Sequence, residues 1–188
     1  MATNKREDIL QAALLLFTER GFDATTVPMI ADSAKVGAGT IYRYFENKEV
    51  LLNCLFQECV QRFFNTLKQG FPEFGTVRQQ FHHIFYQMVH FAKREREAIS
   101  FIDSHHNPRL LNEESQKMYN EFNDFMRDFL IKGQEQGIIY SLPPDVLIPI
   151  FYGALVKLIE ITSAGVIEET DELFAGVEEC CWNAIRVH

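Results

Sequence analysis

The chain has 188 residues, 47% of them hydrophobic and 23% charged, and a formal net charge of −8. That balance belongs to a folded globular chain and excludes a disordered one. No apolar run approaches the roughly 20 residues that cross a bilayer, and the charged start MATNKREDIL does not read as a secretory signal. A cytoplasmic protein without a membrane partner is expected. The acidity is uneven: residues 1–50 hold six Lys/Arg and seven Asp/Glu, whereas the remaining 138 hold twelve and nineteen. A near-neutral first segment can still present a locally positive face to nucleic acid.

In chain order the punctuation is helical. Asn4 followed by Glu7 is a capping-box pattern, and Ile9, Ala13, Leu16 and Phe17 keep helical spacing up to Gly21. A second helix starts at Thr26 with Ile30, Ala31 and Ala34 as its apolar stripe, and Lys35-Val36-Gly37 breaks it. A third, short helix covers Ala38 to Phe45. Asn47 caps a fourth that reaches about Gln69, where Gly70, Pro72 and Gly75 interrupt. Five more follow near 77–94, 96–105, 112–136, 144–164 and 168–186, with Pro149 expected to kink or shorten the eighth. The expectation is an all-α protein of about nine helices, without strands or repeats.

Two short helices joined by a three- or four-residue turn suit a helix-turn-helix. On a helical wheel Ile41 and Phe45 define the inward face of the third helix, and Gly39 and Arg43 lie opposite, flanked by Thr40, Tyr42 and Tyr44. The outward face offers a glycine for close backbone approach, an arginine suited to guanine and hydroxyls for phosphates. Lys48 adds a cation at the start of the next helix, and Lys35 adds one in the turn. A bland alternative is a surface helix whose Tyr42, Tyr44 and Phe45 are packing aromatics. A phosphate loop at Gly37-x-Gly39 has no preceding strand to support it.

Thr26-Val27, Ile30-Ala31, Val36, Gly39-Thr40-Ile41-Tyr42-Arg43-Tyr44-Phe45 and Lys48-Glu49-Val50-Leu51, with Ile9, Ala12-Ala13, Leu16-Phe17 and Gly21-Phe22 upstream, form an ordered set. The set resembles the DNA-binding domain of the tetracycline-repressor (TetR) family over about residues 7–51. The resemblance implies a DNA-binding domain over 1–47 and a helical effector and dimerisation domain over 48–188. It implies double-stranded operator DNA as partner, with Thr26, Thr40, Tyr42, Tyr44 and Lys48 on phosphates and Ala38, Gly39, Tyr42 and Arg43 near bases. Two positions depart from the family pattern: Lys35 stands where glycine is usual, and Gly37 where serine is frequent.

Beyond Leu51 the resemblance is one of layout, and it implies a homodimer built from the last two helices. That points to Tyr152, Leu155, Leu158, Ile159 and Thr162 with Leu173, Phe174, Val177, Cys181 and Trp182; a helix stripe alone leaves intrachain core as the alternative. Fourteen of 17 phenylalanines fall in residues 51–188. Phe81, Phe85, Met88, Phe101, Tyr119, Phe122, Met126 and Tyr152 are candidate contacts for a small apolar or aromatic effector, with core packing again the alternative. No cofactor and no metal set is expected. His82, Tyr86 and His90 share a helix face that His105-His106 could meet, and Cys180-Cys181 could be redox-active. A metal- or redox-responsive regulator of the same fold is therefore the alternative reading. An all-α enzyme is a further one, but no activated nucleophile, HExxH motif or nucleotide loop is present.

Overall fold

The structure is a computed structural model, and it describes residues 4–188. Among the described residues the chain forms nine α-helices: α1 Lys5–Ala24, α2 Val27–Ser33, α3 Ala38–Tyr44, α4 Lys48–Lys68, α5 Val77–Arg94, α6 Arg96–His105, α7 Glu113–Glu135, α8 Pro144–Ser163 and α9 Asp171–Ile185. One isolated bridge, Ile139 with Arg186, ties the C-terminal segment to the turn after α7.

Local chemistry sets most helix ends. The Thr76 hydroxyl accepts from the Gln79 amide while Gln79 answers to the Thr76 backbone, a complete capping box. Asn47 Oδ1 accepts from the Val50 amide at 2.8 Å, and Gly70 and Gly137 take positive φ just beyond α4 and α7. Two expectations, at Asn4 and Pro149, need correction. Asn4 makes no side-chain cap, and its carbonyl receives the Glu7 amide instead. Gly21 takes the expected positive φ and breaks the helix as expected, a short helical stretch resuming beyond it to Ala24. Pro149 does not shorten α8, which starts at Pro144 and runs through it; the carbonyl its ring leaves without a donor belongs to Asp145, an exposed residue.

The chain forms two compact units, residues 1–61 with 97–119 and residues 62–96 with 120–188. In the first, α1, α2 and α3 pack on one another over Ile9, Phe17, Ile30, Ile41 and Phe45. Phe17 and Phe101 continue this core with ring centroids 6.1 Å apart. Asn53, buried in α4, donates to the Glu49 and Leu110 carbonyls and accepts from the Asn112 amide. In the second unit, α5, α8 and α9 pack together around Phe81, Phe85, Phe151 and Phe174. Glu178, buried in α9, is held by Arg78 through both carboxylate oxygens, so its charge is compensated where it is desolvated.

α8 corrects the sequence reading of membrane spans. It is 20 residues long with mean hydropathy 1.7, enough by length and composition to cross a bilayer, and 33% of its most apolar stretch is buried within the chain. Its buried residues, Leu147, Phe151, Leu155, Leu158, Ile159 and Thr162, form one stripe, so α8 is a helix with one face in the core.

Candidate functional site

The recognition surface begins with anchoring. α3 has seven residues and no side-chain cap at Gly37, too short to be stable alone. Ile41 and Phe45 are buried and hold it against α1 and α2. With that face fixed, Ala38, Gly39, Tyr42, Arg43 and Tyr44 point to water and Thr40 is half-buried. Tyr42 is 56% and Tyr44 48% exposed. These two are therefore not packing aromatics, and phenols held at a surface by a buried neighbour are available for contact. An added Cβ at Gly39 would meet no atom within 4 Å, so its backbone is open to an approaching partner.

Thr26 caps α2, its hydroxyl accepting from the Met29 amide at 3.4 Å, and it remains exposed. Lys35 is the non-glycine residue with positive φ among those described, at +54°. The left-handed turn is thus built with a lysine where glycine would be relaxed, and its side chain is exposed.

Lys48 has contacts within the chain that the sequence did not suggest. Its Nζ donates to the Phe22 and Thr25 carbonyls at 2.7 and 2.8 Å and sits 4.0 Å over the Phe22 ring. Its ammonium neutralises carbonyls at the interrupted end of α1, a favourable place for a cation. Thr25, which sequence reasoning passed over, works beside it: buried, it donates to the Leu16 and Gly21 carbonyls. The only sequence signal was the Thr25-Thr26 pair, in which the first residue serves α1 and the second caps α2.

The effector candidates are placed differently from the expectation. Phe81, Phe85, Met88, Phe101, Phe122 and Met126 are buried and close-packed, and Tyr119 and Tyr152 are half-buried. Phe101 and Tyr119 belong to the first unit and the other six to the second. The second unit has open cavities of about 470 Å³ beside the α4–α5 turn and about 620 Å³ between α5 and the start of α9. None of the eight candidates lines either. The Phe122/Met126 stripe of α7 is its core face, whereas the next stripe, Phe125, Asp128, Phe129 and Lys132, borders the smaller cavity.

Most of the dimer candidates likewise lie inside the chain. Leu155, Leu158, Ile159, Thr162, Phe174, Cys181 and Trp182 are buried in the chain's own core; Leu173, Val177 and Tyr152 are half-buried. The outward stripe of α8 carries Val146, Pro149, Ile150 and Gly153, and that of α9 carries Gly176, Cys180 and Ala184. An added Cβ at Gly153 or Gly176 would meet nothing within 4 Å.

The histidines are dispersed. His83 Nε2 lies 2.9 Å from the Leu67 carbonyl, His82 stands beside Tyr86 and Glu178, and His106 stacks on Tyr119. His105 is buried against Phe101 and Phe17, and burial holds its pKa below the usual histidine value. Among the described residues no three His, Cys, Asp or Glu side chains come together as a metal set. Burial pushes the Cys181 thiol up to about 11, which leaves little thiolate at neutral pH.

Comparison with known proteins joins these features to a family. Residues 9–55 match the family model described as bacterial regulatory proteins, tetR family, and residues 56–187 match the tetracyclin repressor-like C-terminal domain. The chain belongs to the TetR family. It is 25% identical over 148 residues to the helix-turn-helix-type transcriptional regulator YhgD of Bacillus subtilis, covering 78% of each chain. A TetR-family transcriptional regulator from Haemophilus influenzae superposes with a TM-score of 0.74 at 25% identity, over 98% of each chain. The transcriptional regulator FadR of Bacillus subtilis, solved in complex with stearoyl-CoA, shares the fold with a TM-score of 0.69 at 22% identity, over 97% of this chain and 99% of that one. The TetR family consists of DNA-binding transcriptional regulators, some of them ligand-responsive.

Proposed function

We propose that this TetR-family protein is a ligand-responsive repressor, acting in the cytoplasm, that binds a near-palindromic operator as a homodimer and is released by a small apolar effector. The observation that carries the reading is α3: a helix pinned by Ile41 and Phe45 that turns Gly39, Tyr42 and Arg43 outward together. Such a helix fits the major groove, with Arg43 reading guanine and Thr26, Thr40, Tyr44 and Lys35 on phosphates. Lys48 contributes by holding α1 and α4 in register.

One such helix reads few base pairs, and a two-fold dimer sets two of them about 34–36 Å apart. The face proposed for that dimer is the outward stripe of α8 and α9. Gly153 and Gly176 sit at its centre on each helix, where a mid-helix glycine costs about 1 kcal/mol relative to alanine. A partner helix approaching closely accounts for two such residues, and it covers the apolar surface that α8 leaves in water. Residues 1–47 are the proposed DNA-reading domain and 48–188 the sensing and dimerising one. α4 has residues in both compact units and is the proposed link between them; coupling of about 1–3 kcal/mol is sufficient. The stearoyl-CoA bound by FadR supports an effector with a substantial apolar part.

Selection of bound duplexes from a random pool tests the proposal. Enrichment of a two-fold symmetric motif is expected, with affinity falling steeply with salt. Arg43→Ala should relax preference at one position per half-site, at about 1–3 kcal/mol. A pool without enrichment over competitor DNA overturns the reading.

A further inference from the structure

We infer that the cavity beside the α4–α5 turn is a binding site for a planar aromatic small molecule of neutral or zwitterionic charge. The cavity holds about 470 Å³, within the range of small-molecule pockets. Phe71, Phe125 and Phe129 line it, with Phe71 and Phe125 meeting edge to face at 5.0 Å and 69°. An aromatic guest finds ring faces and edges at the distances aromatic pairs prefer.

The turn above the cavity is braced. Gln80, buried, donates from Nε2 to the Pro72 and Glu73 carbonyls at 3.0 and 3.1 Å. The Gly75 amide closes on the Pro72 carbonyl at 2.9 Å. A Cβ at Gly75 would stand 3.0 Å from the Pro72 Cβ, so a larger residue there would crowd the tight turn. At its tip Phe74 is 101% exposed and also lines the cavity. A pinned backbone keeps this ring at the mouth instead of letting it fold into the core. Held there, the ring is available to an occupant of the cavity.

Charge narrows the guest. Lys68 and Lys132 stand on the cavity wall with Glu73 and Asp128, two of each sign, and Lys68 Nζ lies 4.9 Å over the Phe64 ring. A balanced wall gives no net attraction to a polyanion or polycation, and it pairs equally with the two ends of a zwitterion. This inference rests on the regulator reading only for the step from binding to DNA release.

The test uses the full chain without DNA and the neutral fluorophore N-phenyl-1-naphthylamine. Saturable binding at one site per protomer is expected, with the blue-shifted emission of a buried ring. Phe74→Ala should weaken it about 2- to 10-fold, the equivalent of one lost aromatic pair, with an unchanged melting curve. Phe125→Leu should weaken it further. Absence of saturable binding, or equal affinity in Phe74→Ala, overturns the site. So does a fall in assembly size in Phe74→Ala with probe affinity unchanged, because Phe74 would then serve a second copy. Operator binding measured separately keeps the outcomes apart: loss of DNA binding by the wild type sinks the regulator reading and leaves the site standing.

Discussion

The seven residues of α3 bury Ile41 alone and hold Tyr42, Arg43 and Tyr44 in water, while the twenty of α8 bury a full stripe and still expose Val146, Pro149 and Gly153. Both helices show more than their chain covers, but what they show differs. α3 exposes hydrogen-bonding groups on a helix too short to stand alone, which suits a polar, charged partner whose grooves admit a helix. α8 exposes aliphatic and glycine surface on a long helix, which suits another helix. Burial in the isolated chain, rather than hydrophobicity, separates the residues that build each region from those it offers.

The largest expected effect breaks α8 on its two faces. Leu158→Asp puts a carboxylate into the chain's own core and should cost on the order of 3–5 kcal/mol, read as loss of the cooperative melt. Gly153→Glu, on the opposite face, should keep the helix content and give monomers by sedimentation, with poor operator binding. If Gly153→Glu remains dimeric, the proposed interface is wrong.

Next comes Lys48. Lys48→Met removes two charge-assisted hydrogen bonds at the end of α1 and should lower stability by about 1–2 kcal/mol, discounted for partial exposure. If Lys48 acted on phosphates alone, the melting temperature would hold and only the salt dependence of DNA binding would fall.

Lys35→Gly sharpens the contrast between building and offering. Relief of the left-handed lysine should raise stability by about 1 kcal/mol. If Lys35 touches a phosphate, the same variant should bind all duplexes more weakly and lower the salt slope by about one. Unchanged stability would mean the turn is relaxed with lysine.

The smallest effect is the pH response of His105. Its folded pKa is depressed by burial, so below the ordinary value the unfolded chain binds the extra proton and the folded chain resists it. Stability is therefore complete above about pH 6.5 and falls as the pH drops through that value, by at most about 1.4 kcal/mol per pH unit. His105→Gln should flatten the melting temperature between pH 7.5 and 5.5; an unaltered slope would assign the acid sensitivity to other groups.

Most of the fold was legible in residue order. Asn47 and Gly70 act through local backbone chemistry, so these helix ends could be read without knowledge of neighbours. The recognition helix was equally legible, because the inward pair, Ile41 in α3 and Phe45 just beyond it, leaves only one arrangement for the rest. The contacts of Lys48 were not, since Phe22 and Thr25 lie more than twenty residues earlier and reach it only when α1 and α4 pack. Most of the effector and dimer candidates lie in the chain's own core for a single reason. A stripe of Phe, Leu and Ile shows that a helix face is apolar, yet the fold decides whether that face meets its own chain or something else.

The sequence by itself determined the helix count, the helix-turn-helix with its outward Arg43, and the family, because each rests on short-range spacing and caps. Only the tertiary structure decided that Leu158 and Phe122 fill the core, that Gly153 and Gly176 face outward and that Phe125 and Phe129 border an open cavity. Those assignments depend on which helices become neighbours, a matter of close packing among distant segments.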